Sequence, residues 1–117
     1  METRKLGELE VSCIGLGCMS MSQAYGSAER DESARTLERA LELGVTFFDT
    51  ANAYGDGHNE TLIGEVLSSR RNDFTLATKF GLVRHASGKR GIDGRPEIVA
   101  HRCEASLKRL DTEVIDL

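Results

Sequence analysis

Asp49, Tyr54 and Lys79 stand in the segments FDTANAYG and LATKFG, and side chains of these three types together suit proton transfer to a carbonyl oxygen. A free phenol has a pKa of about 10 and is a poor proton donor or acceptor near neutrality. An ammonium beside a phenol favours its ionised form, and a carboxylate beside the ammonium keeps that charge in place. A set of this kind could protonate a carbonyl oxygen as a hydride arrives at its carbon. Taken singly, each residue also fits a plainer role: Asp49 closing a turn, Lys79 a solvated charge, Tyr54 packing at a loop edge.

The surrounding pattern decides whether the three can meet. Arg4-Lys5-Leu6 and Leu9-Glu10-Val11 flank Gly7-Glu8, which predicts a small hairpin through a type II′ turn. Cys13-Ile14-Gly15-Leu16-Gly17 reads as a first buried strand. From Asp31, a plausible cap, Ala34, Leu37, Ala40 and Leu41 recur at helical spacing as far as Gly44. Val45 to Asp49 is a second strand. A second amphipathic helix follows on Leu62, Ile63, Val66 and Leu67, with Asn59 as its expected cap. Phe74 to Lys79 is a third strand. Residues 81–95 read as a long loop, rich in glycine and without apolar periodicity. Pro96 opens a third helix with Ile98, Val99, Cys103, Leu107 and Leu110 facing inward, and Val114 to Leu117 begins a fourth strand.

The order β-α-β-α-β-α-β is that of an α/β chain whose strands run parallel. Asp49 closes the second strand, Tyr54 lies five residues on, and Lys79 closes the third. All three therefore face one end of the sheet, where α/β folds place their ligands. The alternation alone does not separate an open doubly wound sheet from part of a (β/α)₈ barrel.

Composition excludes other classes. The chain has 117 residues, 39% hydrophobic and 29% charged, with a formal net charge of -4, so no global basic field favours nucleic acid. No apolar run approaches a membrane span, and no signal-peptide pattern follows Met1, so a cytoplasmic location is the default. Cys13, Cys18 and Cys103 form no C-x-x-C pair and read as buried or half-buried thiols. His58, His85 and His101 lack metal-ligand spacing, and no metal is expected. Gly15-Leu16-Gly17 and Gly88-Lys89-Arg90-Gly91 fall short of the dinucleotide and P-loop fingerprints. Arg84, His85, Lys89, Arg90 and Arg95 make the third loop basic, which reads as a solvated loop.

The segments GVTFFDTANAYGDGHNETLIGEVL and FTLATKFG, together with LGELEVSCIGLGCMSMSQAYG, closely resemble the aldo-keto reductase family, and the resemblance runs from about Leu6 to Leu117. It implies a (β/α)₈ TIM barrel, NADPH as the usual cofactor, and a small aldehyde or ketone as substrate. It further implies Tyr54 as general acid, Lys79 as the partner that makes the phenol a better acid, and Asp49 as the residue that pairs with Lys79. Gly17, Cys18 and Met19, with Asp49, would line the nicotinamide side of the cofactor.

A complete barrel takes about 250 residues. The resemblance implies a fourth catalytic residue, a histidine, just after the fourth strand, and dinucleotide-holding segments after later strands. Residues 1–117 are accordingly expected to form one partial domain, the N-terminal half of the barrel: a hairpin and about four parallel strands. Two readings follow. One is a reductase fragment, inactive by itself, whose complete form passes hydride from NADPH to a carbonyl. The other is a non-catalytic half-barrel, an interaction module or inert remnant. Open barrel edges would favour self-association in either case.

Overall fold

A computed structural model describes all 117 residues. Strands β1 (Thr3–Leu6) and β2 (Leu9–Ser12) form the expected antiparallel hairpin, Leu6 opposite Leu9, with Gly7 at a φ of 63° in the turn. A three-stranded parallel sheet follows in the order β3 (Leu16–Gly17), β4 (Phe47–Asp49), β5 (Thr75–Ala77). Helices α1 (Arg30–Glu42), α2 (His58–Leu67) and α3 (Pro96–Leu110) connect and cover it. None of them is long and apolar enough to cross a membrane.

Register explains how the sheet divides its labour. Leu16, Phe48 and Leu76 are aligned and, because side chains alternate along a strand, point to the same face. Phe48 and Leu76 are buried there with Leu37, Leu41, Ile63, Leu67 and Leu110 from the three helices. Phe48 meets Phe74 edge-on, ring centroids 5.2 Å apart. Gly17, Asp49 and Ala77, also aligned, take the opposite face. A single residue step, half the strand period, thus separates core from site. Gly64 lets α3 approach α2 closely, since a Cβ at that position would lie 2.6 Å from the Arg109 carbonyl oxygen.

Several local expectations are corrected. Glu29, not Asp31, occupies the cap position of α1, and Asp31 sits in the first turn, where its charge suits the helix dipole. Gly57, in a left-handed conformation, precedes α2, and Asn59 lies buried inside the first turn. Residues 81–95 contain a short antiparallel hairpin, β6 (Leu82–Arg84) paired with β7 (Arg90–Ile92). On α3, Val99 and Cys103 are exposed, while Ser106 and Leu110 are buried. Cys13 is exposed as well, so only Cys18 of the three thiols is buried.

The fourth run, Val114 to Leu117, lies along β5 without forming a regular ladder. Asp116 N donates to Leu76 O at 3.1 Å and Thr78 N to Leu117 O at 3.0 Å. The Asp116 carboxylate takes the Leu76 N–H at 2.7 Å and the Arg71 guanidinium at 2.6 Å. A side chain thus occupies a place that the main chain fills in a regular strand.

Candidate active site

The parallel sheet ends in main-chain bonds that gather its loops. Cys18 N donates to Asp49 O at 2.9 Å, Thr50 N to Ala77 O at 2.9 Å and Asn52 N to Lys79 O at 3.1 Å. The chain then turns through Gly55, Asp56 and Gly57, all at positive φ, which two glycines and an aspartate tolerate. That turn carries Tyr54 back over the strand ends.

Asp49, Tyr54 and Lys79 converge as their spacing predicts. Lys79 Nζ donates to Asp49 Oδ1 at 2.5 Å and to the Thr50 carbonyl at 2.9 Å. The same Nζ lies 5.3 Å from the centroid of the Tyr54 ring, within cation–π range. The lysine and aspartate side chains are 51% and 37% exposed, so their pairing contributes at most about 1 kcal/mol to stability. What the pair fixes is the position of one positive charge beside one phenol.

The residues expected on the cofactor side divide differently. Gly17 is exposed and shares a face with Asp49, and a Cβ built on it would meet nothing within 4 Å. Met19 is half-buried in the short turn that follows. Cys18 turns its thiol into the core, where burial, followed by repulsion from Asp49, pushes its pKa up to about 12. Only the main chain of Cys18 therefore remains to face the site.

Sequence reasoning missed the residues that hold these loops. Asn59 accepts from Thr50 Oγ1 at 2.6 Å and donates to Cys18 O and Ser22 Oγ, both at 2.8 Å. Gln23 Oε1 accepts the Gly55 N–H at 3.0 Å. Glu60, fully buried, accepts from Thr78 Oγ1 at 2.7 Å and from Arg109 Nε at 2.6 Å. Their only sequence signal was two polar residues, Asn59 and Glu60, at the start of a helix.

The family model for the Aldo/keto reductase family matches residues 13–117. The chain belongs to that family. It is similar to "Probable aldo-keto reductase 1" of Glycine max, 42% identical over 117 residues, covering 97% of this chain and 34% of that protein. Against "Aldo-keto reductase yakc [NADP(+)]" of Schizosaccharomyces pombe the identity is 37%, over 98% of this chain and 35% of that one. The solved holo form of an aldo-keto reductase from Bacillus halodurans superposes with a TM-score of 0.86 at 37% identity, covering 98% of this chain and 38% of its own. This aldo-keto reductase chain thus spans about a third of the length of the curated relatives it matches, as a segment of a TIM barrel.

Proposed function

We propose that these 117 residues carry the proton-transfer portion of an NADPH-dependent reductase acting on a small aldehyde or ketone, and that residues 1–117 form one partial domain of it. The observation that carries this reading is Lys79, whose Nζ is held by Asp49 and the Thr50 carbonyl while lying over the Tyr54 ring. Family membership and the NADP(+) in the yakc name support the choice of cofactor.

The Tyr54 hydroxyl gives its proton to the carbonyl oxygen. Lys79 stabilises the negative charge left on the phenol, and Asp49 fixes the lysine against rotation into solvent. NADPH, when bound, supplies the hydride. On this chain the residues fit its nicotinamide end: Gly17 offers a face with no side chain, and Met19, Asp49 and the main chain of Cys18 border it. The 117-residue chain by itself is expected to reduce nothing, because it corresponds to only about a third of the length of the reductases it resembles.

The test uses a reductase that carries this segment, assayed by loss of NADPH absorbance with short-chain and aromatic aldehydes. Tyr54→Phe should lower kcat/KM by roughly a hundredfold or more, the lower range for a lost general acid, with NADPH affinity unchanged. Full activity in that variant would overturn the assignment of Tyr54.

A further inference from the structure

A cleft of about 340 Å³ opens between the turn that carries Tyr54, the β6–β7 hairpin and helix α3. Its walls include Tyr54, Asp56 and four arginines: Arg84, Arg90, Arg102 and Arg109. Lys79 and Asp49 are not among them. Tyr54 is thus the one member of the proton-transfer set that the cleft shares.

Two of the four guanidinium groups have partners. Arg109 pairs with the buried Glu60 at 2.6 Å, and Arg84 reaches Asp56 across the cleft at 3.6 Å. Arg90 and Arg102 make no ion pair and no side-chain hydrogen bond, although Arg102 is half-buried. Asp93 acts on Arg102 from a distance, but its carboxylate is held at 2.8 Å by both Arg95 nitrogens. Four guanidiniums face a single wall carboxylate, Asp56, and Glu60, fully buried, neutralises Arg109 from outside the cleft, which leaves a positive excess at Arg90 and Arg102.

A guanidinium presents five N–H donors in a planar fork that matches carboxylate and phosphate oxygens. A half-buried cation without a partner is poorly solvated, and an incoming anion corrects that. Binding clefts of this volume suit small molecules. The basic residues of the third loop, which read in the sequence as a solvated stretch, are gathered by the hairpin onto one wall: β7 brings Arg90 opposite Arg84.

We propose that this cleft is an anion subsite in which Arg90 and Arg102 clasp the carboxylate or phosphate of a small carbonyl substrate whose carbonyl lies toward Tyr54. The proposal rests on the role given to Tyr54 above and narrows the substrate class to acidic aldehydes and ketones.

The 117-residue chain is titrated with levulinate, a keto acid, with its uncharged methyl ester and with inorganic phosphate, following arginine Nε–H resonances by NMR. Levulinate should bind about tenfold or more tightly than the ester, as expected for one charge-assisted hydrogen bond. Arg90→Ala and Arg102→Gln should each remove that preference, while Arg35→Ala on α1 keeps it. Phosphate that shifts the same arginines supports the subsite, and its affinity relative to levulinate tells which anion the cleft prefers. Tyr54→Phe should keep the preference for acid over ester, so failure of Tyr54 as proton donor in turnover assays would leave this result standing. Equal binding of acid and ester, or a preference that survives both Arg90→Ala and Arg102→Gln, overturns the proposal.

Discussion

The Asn59 side chain donates to the main-chain carbonyl of Cys18 at 2.8 Å, joining the first turn of α2 to the chain just past β3. Its other end accepts from Thr50, just past β4, at 2.6 Å. One buried amide therefore sets the spacing of two strand ends and the start of a helix. Asn59→Ala leaves the Thr50 hydroxyl buried without its partner and the Cys18 carbonyl with only the Met21 N–H, at a cost of about 1 to 3 kcal/mol. Asn59→Asp keeps the acceptor but loses the donor to Cys18, and should fall nearly as far. Urea midpoints of the two variants check both statements.

Cys18 should be chemically silent in the folded chain. With its pKa moved from 9.0 to about 12, chiefly by burial, it stays a neutral thiol where Cys13 and Cys103 are open to solvent. A disulfide reagent at mild alkaline pH should titrate two thiols in the native protein and three in denaturant. The same shift carries a pH dependence. Because the folded pKa is the higher one, the contribution to stability is whole below pH 9.0 and is lost as pH rises toward about 12. Cys18→Ala should flatten that alkaline decline in a series of urea melts, after its own cavity cost is subtracted.

The helices and the second and third strands that frame the site were legible in the sequence because each is written in local pattern, whereas the buried strand expected over Cys13 to Gly17 is a strand only at Leu16–Gly17, with Cys13 and Ile14 exposed. Leu37 and Leu41 repeat at helical spacing, and Val45 to Asp49 is too short and too β-branched for a helix. Asp49, Tyr54 and Lys79 were legible because three element ends had to share one side of a parallel sheet. What stayed hidden depends on contacts distant in sequence. Asn59 read as a cap because asparagine at a helix start usually bonds locally; its partner Cys18 lies 41 residues away. The β6–β7 hairpin stayed hidden because both strands are short and their outward residues, Leu82 and Ile92, are exposed, so no apolar face marks them. Cys18 matched the cofactor-side motif, yet its side chain belongs to the core by the alternation that begins at Leu16.

Glu60 and Arg109 form a pair in which the carboxylate is fully buried and the guanidinium mostly so. Removing one partner leaves a charge in a site that solvates it poorly. Arg109→Ala should therefore destabilise the chain by about 3 kcal/mol, the lower end for breaking a buried pair. Adding Glu60→Gln to Arg109→Ala should recover part of that loss, because the amide carries no charge and still accepts from Thr78. A double-mutant cycle by urea unfolding measures the coupling, and strictly additive losses would argue against it.

Self-association of the 117-residue chain is expected from its apolar surface. Ile14 is 62% exposed beside β3, and Val114 and Leu117 are 57% and 58% exposed beside β5, at the two sides of the sheet. Ile14→Lys with Val114→Lys should shift sedimentation toward the monomer by adding charge at both edges. A wild-type chain that sediments as a monomer at micromolar concentration would remove this expectation.

Lys79 separates stability from chemistry most cleanly. Both members of the Lys79–Asp49 pair are more than a third exposed, so Lys79→Met should change folding stability by no more than about 1 kcal/mol. Yet Lys79 is the only cation over the Tyr54 ring, and Asp49 holds it there. In a reductase that carries this segment, Lys79→Met should therefore lower kcat/KM by roughly a hundredfold or more while thermal melts barely move. Asp49→Asn keeps a hydrogen-bond acceptor near Nζ but removes the charge that pins it, so its loss should be smaller than that of Lys79→Met. A lysine that served only to tie two strand ends together would give the reverse pattern: lower stability, with kcat/KM per folded molecule unchanged.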